Sequence, residues 1–354
     1  MKQTPPEFLS ARLAASREVI AGLKIASQKI FGFDRQEVLA LIARISECAD
    51  PQNHFIAKDA HSKDTGECYD AVGNLWSCGS KLCPTCLSVQ SRRNRKKLRD
   101  ALNRQEMRRG ERYYFATFTI TNPGLSLKQT RDLVNRAWTL FRKRKLCVDL
   151  IRGGSKSEEF TLTRNGYHYH LHCIFLSRFL LFNEVRRVWT ECVEKAFDEQ
   201  NIPFVVQTKD GNLFVKLITI TNLEKTIFEV CKYVTKSDSW SKMKAEHLAE
   251  IALVRRWNRM FEMFGSFAMR KERDTIIDDD SPESSIVHTT NLSDGDEPSH
   301  DEYWRDAVQE IGLDAYLERL ADEIARTREL RLKQICMRWP AATIEIFDAG
   351  RPEI

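Results

Sequence analysis

The stretch from Tyr167 to Phe175, YHYHLHCIF, places a histidine at every second position of an apolar run. In a β-strand alternate side chains share one face, so His168, His170 and His172 point to one side and the apolar side chains to the other. A lone histidine in such a strand is usually a hydrogen-bonded core residue. Three in one file would each need a separate polar partner if they were buried without a metal ion. The spacing therefore favours a metal site on this face.

A second group of reactive side chains lies in NLEKTIFEVCKYVTK, residues 222–236, whose apolar positions predict an amphipathic helix. Glu229, Tyr233 and Lys236 are separated by four and three residues and so share one face of that helix. Taken alone, this pattern is typical of surface ion pairs beside a half-buried tyrosine. Next to a metal-bound phosphate, however, a phenol is a competent nucleophile.

Cysteines are clustered in one part of the chain, which indicates metal binding in a reducing compartment rather than disulfides. The spacing of Cys78, Cys83 and Cys86 supplies three thiolates, and a closed tetrahedral Zn²⁺ site requires a fourth ligand. We expect Cys68 to be that ligand, with His61 or His54 as alternatives. Such a structural zinc module would position the segment that follows it. The alternative is a set of unlinked, reduced thiols.

The segment that follows, RRNRKKLRDALNRQEMRR from Arg92 to Arg109, is compatible with a helix and strongly basic. A basic helix suits contacts with DNA phosphates, although a solvated surface helix has the same composition. By contrast, residues 274–302 contain no Lys or Arg and are typical of an acidic, disordered linker. The candidate DNA-binding residues are Arg92, Arg93, Arg95, Lys96, Lys97 and Arg99.

These groups must be positioned by an α+β fold in which helices cover an antiparallel sheet. Strands are predicted at RYYFATFTIT, EEFTLT, the histidine run and LFVKLITIT. Residues 8–47 are predicted to be helical, and a capping box of Ser126 and Gln129 predicts the start of another helix. A further helix is predicted from Asn183. Neither a membrane span nor a signal peptide is apparent, which places the protein in the cytoplasm.

In this order, FATFTITNPG, EEFTLTRNGYHYHLHCIF and FEVCKYVTKSDSW resemble the three motifs of rolling-circle replication initiators of the histidine-hydrophobic-histidine endonuclease class. The most similar branch is that of plasmid replication proteins with a single catalytic tyrosine. CGSKLCPTC resembles the cysteine motif of that branch, and MFEMFGSFAMRK resembles its closing segment. The resemblance covers roughly residues 65–272 and implies a ferredoxin-like or RRM-like core.

The resemblance implies that His170 and His172 are the metal pair and that His168 is a neighbour that need not bind the ion. Glu159 would be the carboxylate ligand, with Glu158 as the fallback. Two imidazoles and one carboxylate leave positions open for phosphate oxygens on Mg²⁺ or Mn²⁺. Non-haem iron oxygenases use the same ligand set, but Tyr233 and the basic surface disfavour that class.

The implied reaction is transesterification at a single-stranded or hairpin nick site in origin DNA. Tyr233 would attack the strand, form a 5′-phosphotyrosyl bond and free a 3′-hydroxyl for a polymerase. Lys236 would stabilise negative charge, and Glu229 would activate water for the terminating cleavage. No Gly-rich phosphate loop is present, so a host helicase would act alongside the host polymerase. A homodimer is compatible with this reaction.

Two other classes stay open at this stage: a transposase of the same endonuclease class, and a non-catalytic, zinc-bearing DNA-binding protein. The roles of both terminal segments also stay open. The predicted domain plan is a helical N-terminal extension (1–50), a zinc module with the basic helix (51–110), the catalytic domain (111–273), the acidic linker (274–302) and a helical C-terminal segment (303–354).

Overall fold

A computed structural model describes residues 7–61, 68–120, 124–163, 166–206, 211–232, 243–255, 260–268, 287–290 and 307–347. The chain divides into two compact units. The first comprises described residues within 1–90, 237–257 and 273–354, and the second those within 91–236 and 258–272. Among the described helices, none combines the length and apolar composition that a membrane span requires.

The second unit is built on a five-stranded sheet in which every neighbouring pair of strands is antiparallel. The strand order is β6-β3-β5-β4-β7, so the two longest strands, β4 and β5, are central. The strands are β3 (Arg112–Thr119), β4 (Ile151–Thr163), β5 (Gly166–Ser177), β6 (Val215–Thr219) and β7 (Phe261–Gly265). The helices are α3 (Pro84–Asn103), whose first residues belong to the first unit, α4 (Leu127–Arg142), α5 (Lys145–Leu150), α6 (Phe182–Asp198) and α7 (Leu223–Lys232).

One face of this sheet packs against α4 and α6 through a cluster of aromatic rings. Phe118 of β3 lies 5.1 Å from Phe141 of α4 and 4.9 Å from Trp189 of α6, measured between ring centroids. The apolar positions predicted for both helices are buried, and the predicted capping box of Ser126 and Gln129 is present. Burying several large rings together supplies much of the hydrophobic stabilisation of this unit.

The opposite face packs against α3 and α7. Leu98 and Leu102 of α3, and Ile227 and Val230 of α7, form one buried cluster with Ile174 of β5. Ile174 is two residues after His172 on β5, so its side chain points to the same side as those of the three histidines. This second face is therefore the histidine face of the sheet.

The first unit contains a smaller sheet with the order β8-β2-β1-β9. In it β1 is antiparallel to both β2 and β9, whereas β2 and β8 are parallel. Its strands are β1 (His54–His61), β2 (Cys68–Asn74), β8 (Val287–Thr290) and β9 (Thr343–Ile346). Its helices are α1 (Glu7–Ser27), α2 (Gly32–Ala49), α8 (Ala245–Arg255) and α9 (Leu313–Arg338).

Helices cover both faces of the smaller sheet. Leu9 and Leu13 of α1 pack on Ile56, whereas Ile335 of α9 packs on its neighbour Phe55, whose side chain points to the other face. The α+β class with flanking helices is therefore confirmed, with an antiparallel larger sheet, as predicted, and a smaller sheet that is mixed. Of the predicted acidic linker, Val287–Thr290 form β8, and the remainder lies outside the described residues.

Candidate functional site

The histidine file lies on β5 as one face of a central strand. His168 and His170 are half-buried and His172 is buried, while Tyr167, Tyr169 and the following apolar residues alternate with them. Ring centroids of His168 and His170 are 4.2 Å apart, and those of His170 and His172 are 6.0 Å apart. The strand therefore presents three imidazoles to one side.

Glu159 shares this face because β4 pairs with β5 in a fixed register. Glu159 lies opposite His170, and its Oε2 is 2.8 Å from Nε2 of the diagonal neighbour His172. The other ring nitrogen of His172, Nδ1, is 3.2 Å from the hydroxyl of Thr117, and its ring stacks on Phe115 at 5.9 Å. Which of the two ring nitrogens carries the proton depends on the tautomer, but both contacts are made by the same placement of the ring. The ring of His172 is thus held in one orientation.

Glu158, the adjacent carboxylate, faces the opposite side of the sheet. It accepts hydrogen bonds from the Arg131 Nε (2.8 Å), the Lys156 Nζ (3.0 Å) and the Tyr169 hydroxyl (2.6 Å). Its burial favours the neutral acid, but the charges of Lys156 and Arg131 and the Tyr169 hydroxyl outweigh that effect and lower the pKa of Glu158. Glu158 therefore belongs to a buried ion-pair network under the sheet, away from the histidines.

The donors on the histidine face fit a divalent cation in kind and direction. An imidazole nitrogen of His172 and a carboxylate oxygen of Glu159 already lie 2.8 Å apart, and His170 shares the row of Glu159 on the neighbouring strand. This mixture of nitrogen and oxygen donors suits Mn²⁺ better than Mg²⁺, which prefers oxygen ligands alone. Among the described residues, the ligand atoms of His170, His172 and Glu159 do not all lie within 4.8 Å of one another, as the four cysteine sulfurs do.

Helix α7 brings Glu229 to the same unit as the histidines. Its buried residues Ile227, Val230 and Cys231 pack on the sheet, and the carbonyl of Cys231 accepts a hydrogen bond from the Ser91 hydroxyl at 3.1 Å. Glu229 is half-buried on this helix. The predicted nucleophile Tyr233 and the predicted Lys236 follow α7 in sequence and lie outside the described residues.

The basic helix, α3, uses its apolar residues to pack against the sheet. The Arg99 guanidinium pairs with both carboxylate oxygens of Glu224 on α7, at 3.0 and 2.8 Å, and Arg95 lies over the ring of Phe228 at 5.2 Å. Arg93 and Lys97 are exposed to solvent. Arg92 and Lys96, like Arg95 and Arg99, are half-buried. The six predicted DNA-binding cations therefore do not share one exposed surface.

In the first unit, Cys48, Cys78, Cys83 and Cys86 form a buried cluster of thiols whose sulfur atoms all lie within 4.8 Å. Cys86 is 3.5 Å from Cys48 and 3.4 Å from Cys78, measured between sulfur atoms. A tetrahedral site with Zn–S bonds of about 2.3 Å would hold its sulfurs ~3.8 Å apart, so the cluster matches zinc in ligand type, number and spacing. Hydrogen bonds from the other three cysteines and from Ser77 lower the pKa of Cys86, whereas the pKa values of Cys48 and Cys78 are raised, so in the absence of a metal Cys86 carries the thiolate of the cluster.

The predicted fourth ligand, Cys68, is wrong for this cluster. Cys68 is exposed at the start of β2, where its thiol lies 3.7 Å from the Asp59 carboxylate, and Cys48 at the end of α2 supplies the fourth sulfur instead. His61, the first alternative, pairs with Cys68 at the same end of the hairpin. His54, the second, is buried with its ring nitrogens 2.9 Å from Asn74 Oδ1 and 3.0 Å from the carbonyl oxygen of Cys48.

The cysteine cluster also has a buried cation beside it. Arg44 of α2 is 2% exposed, donates to the carbonyl oxygen of Cys78 at 3.2 Å and to the Tyr316 hydroxyl at 3.0 Å, and lies over the ring of Trp76 at 5.4 Å. Four thiolates around Zn²⁺ carry a net negative charge, which a buried guanidinium would partly balance.

Comparison with known proteins identifies the family of the chain. The model of a family described as "Replication protein" matches residues 70–309. A curated relative, "Protein rep" from Lentilactobacillus hilgardii, is 29% identical over 205 residues, which make up 55% of this chain and 61% of the relative. The chain thus spans about three-fifths of the length of that relative. No solved structure matches this chain. Because the family model covers well over half of the chain, the chain belongs to the replication protein family.

Proposed function

We propose that this chain is a plasmid replication initiator that nicks one strand of origin DNA through a tyrosine nucleophile and a divalent metal ion. Membership of the replication protein family supports the role in initiation. The observation that carries the chemistry is the pairing of Glu159 with His172 beside His170 on one face of the sheet. Helix α7, which precedes Tyr233, packs on the same face.

His170, His172 and Glu159 would hold Mg²⁺ or Mn²⁺ with positions left open for oxygen atoms of the DNA. An ion held by these residues would supply Lewis-acid polarisation of the scissile phosphodiester. Thr117 and Phe115 keep the ring of His172 in its ligating orientation, which is the usual task of residues behind a metal ligand.

In the first step the hydroxyl oxygen of Tyr233 attacks phosphorus and loses its proton. The new bond joins that oxygen to the 5′-phosphate, while the bond from phosphorus to the 3′-oxygen breaks and the 3′-oxygen takes up a proton. The phosphodiester energy is retained in the phosphotyrosyl bond, so no nucleotide is consumed. Lys236 would offset the charge that develops on the phosphate.

Glu229 would act in the last step, when the round of replication must stop. It precedes Tyr233 by four residues in sequence, so a water molecule near the same phosphate would be within reach of its carboxylate. A carboxylate that removes a proton from this water allows a second cleavage without a second tyrosine. The cysteine cluster with Zn²⁺ would have a structural role in the first unit.

The proposal is tested by incubating the full chain with a labelled single-stranded oligonucleotide that carries the plasmid origin, with and without Mn²⁺. We expect a nick and an SDS-resistant adduct that both require the metal. Tyr233→Phe should abolish both products and leave origin binding largely intact, because only the nucleophilic oxygen is removed. Nicking by Tyr233→Phe at the parental rate would refute the proposal.

A further inference from the structure

Strand β6 ends the strand order of the five-stranded sheet, and the exposed side chains of this edge on the histidine face are Phe214, just before the strand, Lys216 and Ile218. Lys216 pairs with Thr117, which in turn pairs with His172, so Lys216 lies two strands from that histidine in the same row. Phe214 lies just before the strand, in the next row on this face, which is the row of His170. Thr119, which pairs with His170, donates a hydrogen bond from its hydroxyl to the Phe214 carbonyl oxygen at 2.9 Å. The intervening Val215 is buried on the other face.

Phe214 is 60% exposed, yet its backbone is tightly held. Besides the bond from Thr119, the Arg186 guanidinium donates to the carbonyl oxygens of Leu213 at 2.7 Å and Asn212 at 3.0 Å, and the Thr190 hydroxyl accepts from the Leu213 backbone N–H at 3.0 Å. A single exposed phenylalanine is ordinary on a protein surface. This one is fixed in position, stands beside an exposed lysine and faces the same side as the histidines.

Phe214 and Lys216 are two residues apart, about 7 Å along an extended backbone, and such a pair suits a nucleotide because a phenyl ring can stack on a base while an ammonium group contacts a phosphate. Two strand spacings of about 4.8 Å separate this pair from the histidine file, which is a short distance for a DNA strand to cross. Protein–protein contact would call for a broader apolar patch, whereas Lys216 interrupts the apolar residues of this edge.

We propose that Phe214 and Lys216 form a subsite for an unpaired nucleotide next to the scissile phosphate, with Phe214 stacking on the base and Lys216 contacting the backbone. The subsite rests on the proposed function in that it assumes a single DNA strand on the histidine face. It would determine which part of an unwound origin lies over the metal ligands, because a stacked base fixes the register of the strand.

The test measures binding of fluorescein-labelled dT20 to the full chain by fluorescence anisotropy, without added divalent metal and in a Tyr233→Phe background. Loss of one stacked base corresponds to about 5- to 150-fold in affinity, which is the decrease expected for Phe214→Ala. Phe214→Leu should lose nearly as much because it keeps apolar bulk without a π-face, whereas Phe214→Trp should bind within about threefold of the parent.

Phe179→Ala is the matched control, since Phe179 is 61% exposed but follows the far end of β5 from the histidines. It should leave the affinity unchanged. Lys216→Gln should lower the slope of log K against log salt by about 0.7, the value for one phosphate contact to a single strand, and the exposed Lys145→Gln should not. Parental affinity of Phe214→Ala, or an equal loss in Phe179→Ala, would overturn the subsite.

Failure of the subsite and failure of the nicking proposal give different results. If no adduct formed at Tyr233 but Phe214→Ala still lost dT20 binding, the strand-binding edge would stand and the nuclease assignment would fall. If the parent chain formed the adduct while Phe214→Ala bound dT20 normally, the nuclease would stand and the subsite would fall.

Discussion

Glu158 and Glu159 are neighbours in sequence but face opposite sides of the sheet. Replacing Glu158 by glutamine should mainly lower stability, whereas replacing Glu159 by glutamine should mainly weaken metal binding. Glu158→Gln removes the carboxylate that pairs with the buried cations: Arg131 would lose its partner, and Lys156 would keep only the Glu262 carboxylate at 3.6 Å. The side chains of Glu158 and Lys156 are 1% and 4% exposed, so solvent does little to screen the loss. Removing one partner of such a buried pair costs about 3–5 kcal/mol.

In a unit of this size, each kcal/mol lowers the melting temperature by roughly 2–4 °C. Glu158→Gln should therefore melt about 6–20 °C below the parent. Glu159→Gln weakens one hydrogen bond to His172, a loss of about 0.5–1.5 kcal/mol, and should melt only ~1–6 °C lower. Its main defect should be loss of the metal, because an amide is a much poorer ligand than a carboxylate for Mn²⁺.

Calorimetric melting and a Mn²⁺ titration followed by electron paramagnetic resonance separate the two variants. We expect Glu158→Gln to bind Mn²⁺ below its melting temperature and Glu159→Gln to have lost the high-affinity site on the histidine face. A melting temperature for Glu158→Gln within about 2 °C of the parent would refute the ion-pair argument. Parental Mn²⁺ affinity in Glu159→Gln would remove Glu159 from the ligand set.

The lowered pKa of Glu158 also predicts how stability depends on pH. A carboxylate with a folded-state pKa below its unfolded value, about 4.3 for Glu, stabilises the fold fully above that value. This contribution is lost as the pH falls through the folded-state pKa. The parent should therefore lose stability below about pH 4 more steeply than Glu158→Gln, which can be measured by urea unfolding at a series of pH values.

Three further predictions concern the other sites. Elemental analysis should find one zinc per chain in the parent and in Cys68→Ser, and a loss of zinc in Cys48→Ser; retention in Cys48→Ser would exclude it as a ligand. His170→Ala and His172→Ala should each make nicking unresponsive to added Mn²⁺, and a full response in both would place the metal elsewhere. Glu229→Ala should still form the tyrosyl adduct but terminate about 10²- to 10⁴-fold more slowly, giving products longer than unit length; unit-length products at normal yield would assign termination to another group.

The elements that position the histidines could be predicted because their signals are local. A period of two in β5 and of 3.6 in α4 and α6 depends only on neighbouring residues, and the buried positions follow it. The choice of Glu159 over Glu158 had a different origin, since it came from the family resemblance, but strand pairing accounts for which of the two faces the histidines. Once β4 pairs with β5, strand parity alone decides which carboxylate faces the histidines.

The fourth sulfur could not be predicted in this way. Cys48 is thirty residues before Cys78, and the hairpin of β1 and β2 lies between them in the chain. It also precedes residue 70, where the family match begins. Cys68 was favoured because it is nearer in sequence, but the hairpin carries it away from the other thiols. Distance along the chain is a poor guide where a β-hairpin intervenes.

The contacts of the N-terminal and C-terminal segments with each other could not be predicted either, because they too join residues that are far apart in the chain. Helical periodicity predicts α1, α2 and α9, but nothing in those segments indicates that β9 pairs with β1 or that Tyr316 meets Arg44. These are contacts between residues about 270 or more positions apart. They depend on the complementary shape of a whole sheet rather than on any local pattern.

The account depends most on the identity of the nucleophile, which can be measured directly. The adduct formed with origin DNA in the presence of Mn²⁺ is digested with nuclease and trypsin, and the modified peptide is sequenced by mass spectrometry. We expect a 5′-linked nucleotide on the hydroxyl of Tyr233. Modification of a different tyrosine, or a free 5′-phosphate with no adduct at any time point, would contradict the account.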